Sequence, residues 1–180
     1  MPPDAASPLP ARASALPGEI RRLQPADLDE VLAIEAAGYL HPWSREMFLR
    51  ELEHDWSVFL VYAEPRADSR HGAAAGERRQ RVLGFLLYWL VQDEIHLLNV
   101  AVAPDQRRRG IGRLLLAEMD KRARAADIAL LTLEVRKGST GARALYRELG
   151  YREAGIRKNY YAEEREDAVV MLRELRDRGF

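Results

Sequence analysis

The stretch from Asn99 to Glu134 constrains the chain more than any other part of it. It reads as an apolar strand (96–102), a turn with Pro104 and Asp105, the basic glycine loop Arg107-Arg108-Arg109-Gly110-Ile111-Gly112, a helix, and a second strand (130–135). Strand, helix and strand in that order make a right-handed crossover between parallel neighbours. Ligands of open α/β sheets sit beyond the carboxyl ends of such strands. At that end the loop offers a run of backbone N–H groups opening a helix, where free donors and the helix dipole favour an anion. Gly110 and Gly112 carry no Cβ, so a phosphate can approach the main chain closely. The competing reading of the arginines is a solvated basic turn or a nucleic-acid patch. The strand before, the helix after and a carboxylate on the next strand favour a pyrophosphate seat.

Around this unit strand and helix patterns alternate. Glu19–Arg22 is a short strand, and Pro25 opens a helix to about Ala37 with Leu28, Val31, Leu32 and Ile34 inward, ended by Gly38. Ser44, after the turn His41-Pro42-Trp43, caps a second helix from Arg45 to Leu52. Val58–Tyr62 alternates as a strand, and the polar span 64–80 is expected to be a long mobile hairpin loop. Strands 81–91 and 94–102, joined through Gln92-Asp93, are apolar enough to be central in a sheet. The helix after the glycine loop should bury Ile111, Leu114, Leu115 and Met119 and collects Lys121, Arg122 and Arg124 at its negative end. Ser139 can cap a fourth helix that Gly150 stops, and 151–161 with 167–175 close the chain as an antiparallel pair. The expectation is an α/β (α+β) domain over residues 18–180, with a mixed sheet of about seven strands and four helices.

Composition narrows the chemistry. Lys plus Arg and Asp plus Glu both number 28, so no global charge points to nucleic acid or anionic lipid. The chain has no cysteine, which removes disulfides, thiolate metal sites and any acyl-cysteine intermediate. The histidines (His41, His54, His71, His96) have no ligand spacing, and no metal is expected. The most apolar run, 82–91, is far short of the roughly 20 residues a membrane helix needs. Residues 1–17 hold five of the nine prolines and lack an apolar signal core. They read as a disordered tail, and the protein as cytoplasmic.

Strand alternation puts Thr132 and Glu134 on one face and Leu131, Leu133 and Val135 on the other. Glu134 interrupts an apolar strand near its carboxyl end, where it is either a general base or a salt-bridge partner of Arg136 or another cation. Tyr146, spaced with Ala142, Leu145 and Leu149, is either a core aromatic or a proton donor to a departing thiolate. A phenol near 10 lies above a thiol near 8.5, so that transfer needs local tuning. Tyr160 and Tyr161 either wall a slot for a short peptide or pack an edge strand.

Taken in order, Asn99-Val100-Ala101-Val102, Arg107-x-x-Gly110-x-Gly112, Leu133-Glu134-Val135-Arg136 and Ala144-Leu145-Tyr146-x-x-x-Gly150-Tyr151 resemble the GNAT acetyltransferases. His41-Pro42-Trp43-Ser44, Arg157-Lys158-Asn159-Tyr160-Tyr161 and Arg165-Glu166-Asp167-Ala168 extend the resemblance to the RimI type, over about residues 18–175. That type acetylates the N-terminal alanine of a small-subunit ribosomal protein. The resemblance implies the GNAT fold with splayed parallel strands 4 and 5, and acetyl-CoA as co-substrate. It implies coenzyme contacts from Val100, Ala101 and Val102, from Arg108, Arg109, Gly110, Ile111, Gly112 and Arg113, and from Ser139. It implies Glu134 as proton acceptor and Tyr146 as proton donor, with Trp43, Tyr160 and Tyr161 on the acceptor side. Ser139 stands where the family usually has Asn, and Arg107 where Gln is common. The implied partner is a protein N-terminus on a ribosomal protein, with no direct nucleic acid or membrane contact and a monomer or weak dimer. Two other readings are a small-molecule amine N-acetyltransferase and a catalytically silent acyl-CoA-binding module.

Without a cysteine nucleophile, direct transfer in a ternary complex is the simplest route, with a strand N–H near Val100 or Ala101 stabilising the oxyanion. An α-amine titrates near 7.8 and a lysine near 10.4, so freeing lysine costs roughly 3.5 kcal/mol more at neutral pH. An ordinary carboxylate therefore suits a protein N-terminus better than lysine.

Overall fold

The computed structural model describes residues 16–66 and 80–175. Strands β1 (Glu19–Arg22), β2 (Ser57–Pro65), β3 (Gln80–Val91), β4 (Glu94–Val102), β5 (Leu130–Arg136), β6 (Arg152–Tyr161) and β7 (Glu166–Glu174) build one sheet. Their order is β1-β2-β3-β4-β5-β7-β6, so β3 and β4 are central, as their apolar content requires. Among the described residues only β4 and β5 run parallel, and the crossover between them carries α3 (Ile111–Ala125). Helices α1 (Leu28–Gly38) and α2 (Arg45–Leu52) precede β2, and α4 (Thr140–Glu148) follows β5. Among the described residues no helix is long and apolar enough to cross a membrane.

The sheet has an apolar layer on each face. Ile111, Leu115, Leu116, Met119 and Ala123 of α3 pack with Leu86, Ile95, Leu97, Leu131 and Leu133. Val31, Ile34 and Phe48, from α1 and α2, pack with Phe59, Phe85 and Ala101 on the other face. On α3 Leu116 is buried along with Ile111, Leu115 and Met119, while Leu114 is only half-buried. At 3.6 residues per turn Leu116 falls beside Ala123 inside the stripe and Leu114 falls at its margin, which corrects the expected inward set.

Several sequence signals act as the chain chemistry suggests. The Ser44 hydroxyl accepts the Met47 N–H at 3.3 Å and caps α2. Gly150 adopts φ +88°, its N–H reaches the Arg147 carbonyl at 2.9 Å, and the Tyr151 N–H reaches that of Tyr146 at 3.0 Å. That pair of bonds is a Schellman closure of α4, and it needs a residue free to be left-handed. Pro25 begins a 3-10 turn (Pro25–Asp27), not α1 itself. The half-buried pair of Arg21 with Asp27 (2.6 and 2.9 Å) fastens that turn to β1.

The expected loop is shorter at its ends than 64–80, because Glu64 and Pro65 pair with Arg81 and Gln80 as strand. Residues 67–79 lie outside the described residues, as does the expected tail except Leu16 and Pro17. Leu16 packs against the core, and the Gly18 N–H donates to the Tyr62 hydroxyl at 2.9 Å.

Two irregularities in β4 position everything that follows. Its pairing with β5 runs only from Glu94–Leu130 to Leu97–Leu133, after which the strands part. Beyond that point β4 continues against β3 to Val102, and β5 continues against β7 to Arg136. A bulge at Leu98 also skips one residue of β4 against β3. An extra residue reverses the facing of everything after it. Ile95 and Leu97 point to the α3 layer, whereas Leu98 and Ala101 belong with the α1 layer.

Candidate active site

The divergence of β4 and β5 opens a cleft of about 970 Å³. Beyond Leu97 one edge of β4 has no strand partner among the described residues, and two of its carbonyls are taken by side chains. The Tyr39 hydroxyl donates to the Val100 carbonyl at 2.9 Å, and the Arg107 guanidinium to that of Val102 at 3.3 Å. In an extended strand the N–H and C=O of one residue point to the same edge. The N–H groups of Val100 and Val102 therefore face the gap. Val100, Ala101 and Val102 all line the cleft.

The glycine loop meets this edge at the start of α3. Gly110, at φ +94°, is the residue before the helix, and its carbonyl accepts the first intrahelical bond from the Leu114 N–H at 3.0 Å. The N–H groups of Ile111, Gly112 and Arg113 consequently have no acceptor within α3. Gly112 lines the cleft, and a Cβ there would lie 3.7 Å from Val102 Cγ2. Arg108 is left-handed at φ +66°. Arg109 and Arg113 are engaged by Glu64 (2.9 Å) and Glu148. Of the residues expected to contact a coenzyme at 108–113, Gly112 lines the cleft, the first turn offers N–H groups without an acceptor in α3, and Arg109 and Arg113 are already paired to acids.

Glu134 and Tyr146 line the same cleft. Strand β5 turns Glu134 to the α1 face, away from Leu131, Leu133 and Val135, which lie in the α3 layer. Its partners are His96, with Nε2 at 2.6 Å from Oε2, and Arg157, at 3.1 Å from Oε1. Arg136, the cation expected beside it, pairs with Glu164 and Glu166 at 3.1 Å. The hydrogen bond from His96 holds the Glu134 carboxyl below its ordinary value; burial opposes this, and the charges of His96 and Arg157 add to it. Tyr146 is buried, with its ring 5.7 Å from that of Tyr151. Burial pushes its hydroxyl far above the usual phenol range, with Tyr161 adding to the effect, so it stays protonated.

The remaining expected residues divide. Tyr161 lines the cleft beneath the Arg136 guanidinium, 3.9 Å from the ring centre, and burial pushes its hydroxyl up to about 12. Tyr160 is exposed and set edge-on to it at 5.3 Å. The Trp43 ring packs on Phe48 at 5.4 Å, in the α1–α2 layer. Ser139 lines the cleft and precedes α4, but its carbonyl accepts the Arg143 N–H at 3.0 Å while its hydroxyl makes no capping bond.

The structure also brings in residues that pattern reading passed over. Glu35 is buried on α1, lines the cleft, and accepts the Trp43 N–H and the Asn99 amide, both at 3.0 Å. A carboxylate four residues after Val31, on the apolar stripe of α1, is the signal that marks it. His96 and Arg157 carry no such mark, because each meets Glu134 from a different strand.

Residues 28–151 match the model of the acetyltransferase (GNAT) family. The [ribosomal protein bS18]-alanine N-acetyltransferase of Escherichia coli K12 is 34% identical over 154 residues, spanning 84% of this chain and 94% of that protein. The crystal structure of the ribosomal-protein-S18-alanine N-acetyltransferase from Escherichia coli superposes with a TM-score of 0.74 at 32% identity, covering 90% of this chain and 96% of that one. Arabidopsis thaliana NAA60 in complex with acetyl-CoA shares the fold, at a TM-score of 0.73 and 17% identity, over 88% of this chain and 98% of that one.

Proposed function

Because the chain belongs to the acetyltransferase (GNAT) family, and is an N-acetyltransferase, we propose that it acetylates the N-terminal α-amine of a ribosomal protein, an alanine first. The Escherichia coli relative that is 34% identical bears the name of that activity, and the match spans 94% of it. We place the reaction in the cytoplasm, with acetyl-CoA as the acyl donor. The observation that carries the reading is the unpaired edge of β4 bordering one cleft with Glu134 and Tyr146.

The residues present fit the coenzyme. The free N–H groups at 111–113 and the absence of a Cβ at Gly112 suit a pyrophosphate. The Val100 and Val102 N–H groups suit the extended arm that follows. When bound, acetyl-CoA supplies a thioester carbonyl as electrophile. A β4 N–H then stabilises charge on that oxygen, as a donor fixed in advance by the sheet. Glu134 accepts the proton of the α-ammonium, directly or through a water. Tyr146, kept protonated by burial, donates a hydrogen bond toward the leaving sulfur. Tyr161, with Tyr160 against it, walls the acceptor side, and Trp43 fixes the segment before α2 through its bond to Glu35.

The α-amine is preferred over lysine for the reason its titration gives, a gap of roughly 3.5 kcal/mol at neutral pH. Glu134→Gln and Tyr146→Phe should each lower kcat about 100-fold or more while leaving KM for acetyl-CoA within about twofold. Unchanged turnover in both variants removes these assignments. Turnover on short peptides beginning with Ala, Ser, Gly or Met, with a polyamine as control, tests the acceptor. Preference for Ala-first peptides is expected, and equal or better turnover of the polyamine would move the function to small amines.

A further inference from the structure

We propose that His96 is the positioning residue that aims Glu134, by donating from Nε2 to one of its carboxylate oxygens. This rests on the reading of Glu134 as proton acceptor. His96 lies on β4 in the last stretch still paired with β5, opposite Thr132 in register. That register, just before the bulge at Leu98, places it on the Glu134 face of the sheet, with Nε2 2.6 Å from Oε2. A carboxylate has no hydrogen to give, so Nε2 carries one and donates it.

The ring is held from both sides. Trp89 of β3 lies 6.2 Å away, and its own indole N–H is tied to Glu51 of α2 at 2.6 Å. The charged groups around His96 are Glu134 on β5, Arg157 on β6 behind Glu134 Oε1, and Glu51 on α2, which is committed to Trp89 and to the Ser57 hydroxyl at 2.9 Å. Glu134 is therefore the carboxylate that the His96 N–H engages.

The bond from Nε2 holds one carboxylate oxygen in place while the acid faces the cleft. In the working step an N–H bond of the α-ammonium breaks and an O–H bond forms on Glu134. The freed electron pair stays on the amine nitrogen, and His96 keeps its Nε2 hydrogen throughout.

The test compares kcat and KM for an Ala-first peptide, at saturating acetyl-CoA, in the wild-type protein, His96→Gln and His96→Leu. Glutamine keeps an uncharged donor and leucine keeps none. His96→Leu should lower kcat about tenfold with KM for acetyl-CoA unchanged, and His96→Gln should recover most of that loss. A kcat of His96→Leu within about twofold of wild type, or equal losses in the two variants, overturns the proposal. Glu134→Gln separates the two levels of failure: an inactive Glu134→Gln beside an undiminished His96→Leu removes His96 alone, whereas a fully active one removes the acceptor as well. Should His96→Gln fail to fold by circular dichroism, His96→Asn carries the same comparison.

Discussion

At the scale of single residues, the cleft is built from groups that packing alone would not tolerate. Glu35 is 1% exposed, and burial pushes its carboxyl up against the lowering effect of the Trp43 N–H and the Asn99 amide. Glu35→Ala strands both donors in the interior and should cost about 2–3 kcal/mol in urea unfolding. Gly112 behaves oppositely. A methyl there meets Val102 at 3.7 Å, an ordinary contact, and alanine is the better helix former. Gly112→Ala should thus leave stability equal or slightly higher while raising KM for acetyl-CoA severalfold, a split that steady-state kinetics beside thermal unfolding will reveal. Spacing identified Gly112 and Glu134, since glycine and a lone acid stand out in an apolar unit. It could not pair Glu134 with His96, because they are 38 residues apart and meet only through strand register.

Among the elements, boundaries follow local chemistry where a cap or a glycine fixes them. The ends of α2 and α4 fall where Ser44 and Gly150 put them, because both residues satisfy helix-end groups within a few bonds. Gly150→Ala forces a Cβ into a left-handed residue and toward Arg173 Nε, 3.3 Å away, and should cost about 1–2 kcal/mol by thermal unfolding. The start of α1 was less legible. Proline suits a first helical position, yet here the Asp27 carboxylate is drawn into the Arg21 pair and the Gln24 N–H, which tightens the first turn to 3-10. The bulge at Leu98 had no sequence signal at all, since no glycine marks it. It is read only from the mismatch between β4 and β3.

For the molecule as a whole, the acid limit of stability follows from the Asp27 pair. Burial raises that carboxyl, but the hydrogen bonds from Arg21 and the Gln24 N–H outweigh it and hold it below the ordinary range. A lowered folded value means stability present above the unfolded value near 3.9 and lost as pH falls through the folded one. The urea midpoint should drop below about pH 4, and Asp27→Asn should flatten that dependence while lowering stability at neutral pH. The sequence by itself determined the central strands, the crossover through α3, the glycine loop that opens it and the acid on β5. Each is written in short-range features: period-two and period-3.6 burial, glycines and caps. Only the tertiary structure decided that β4 and β5 part after Leu97, that the bulge turns Asn99 toward Glu35, and that His96 and Arg157 converge on Glu134. Those depend on register between strands distant in the chain, where a shift of one residue reverses every side chain and leaves the local pattern unchanged.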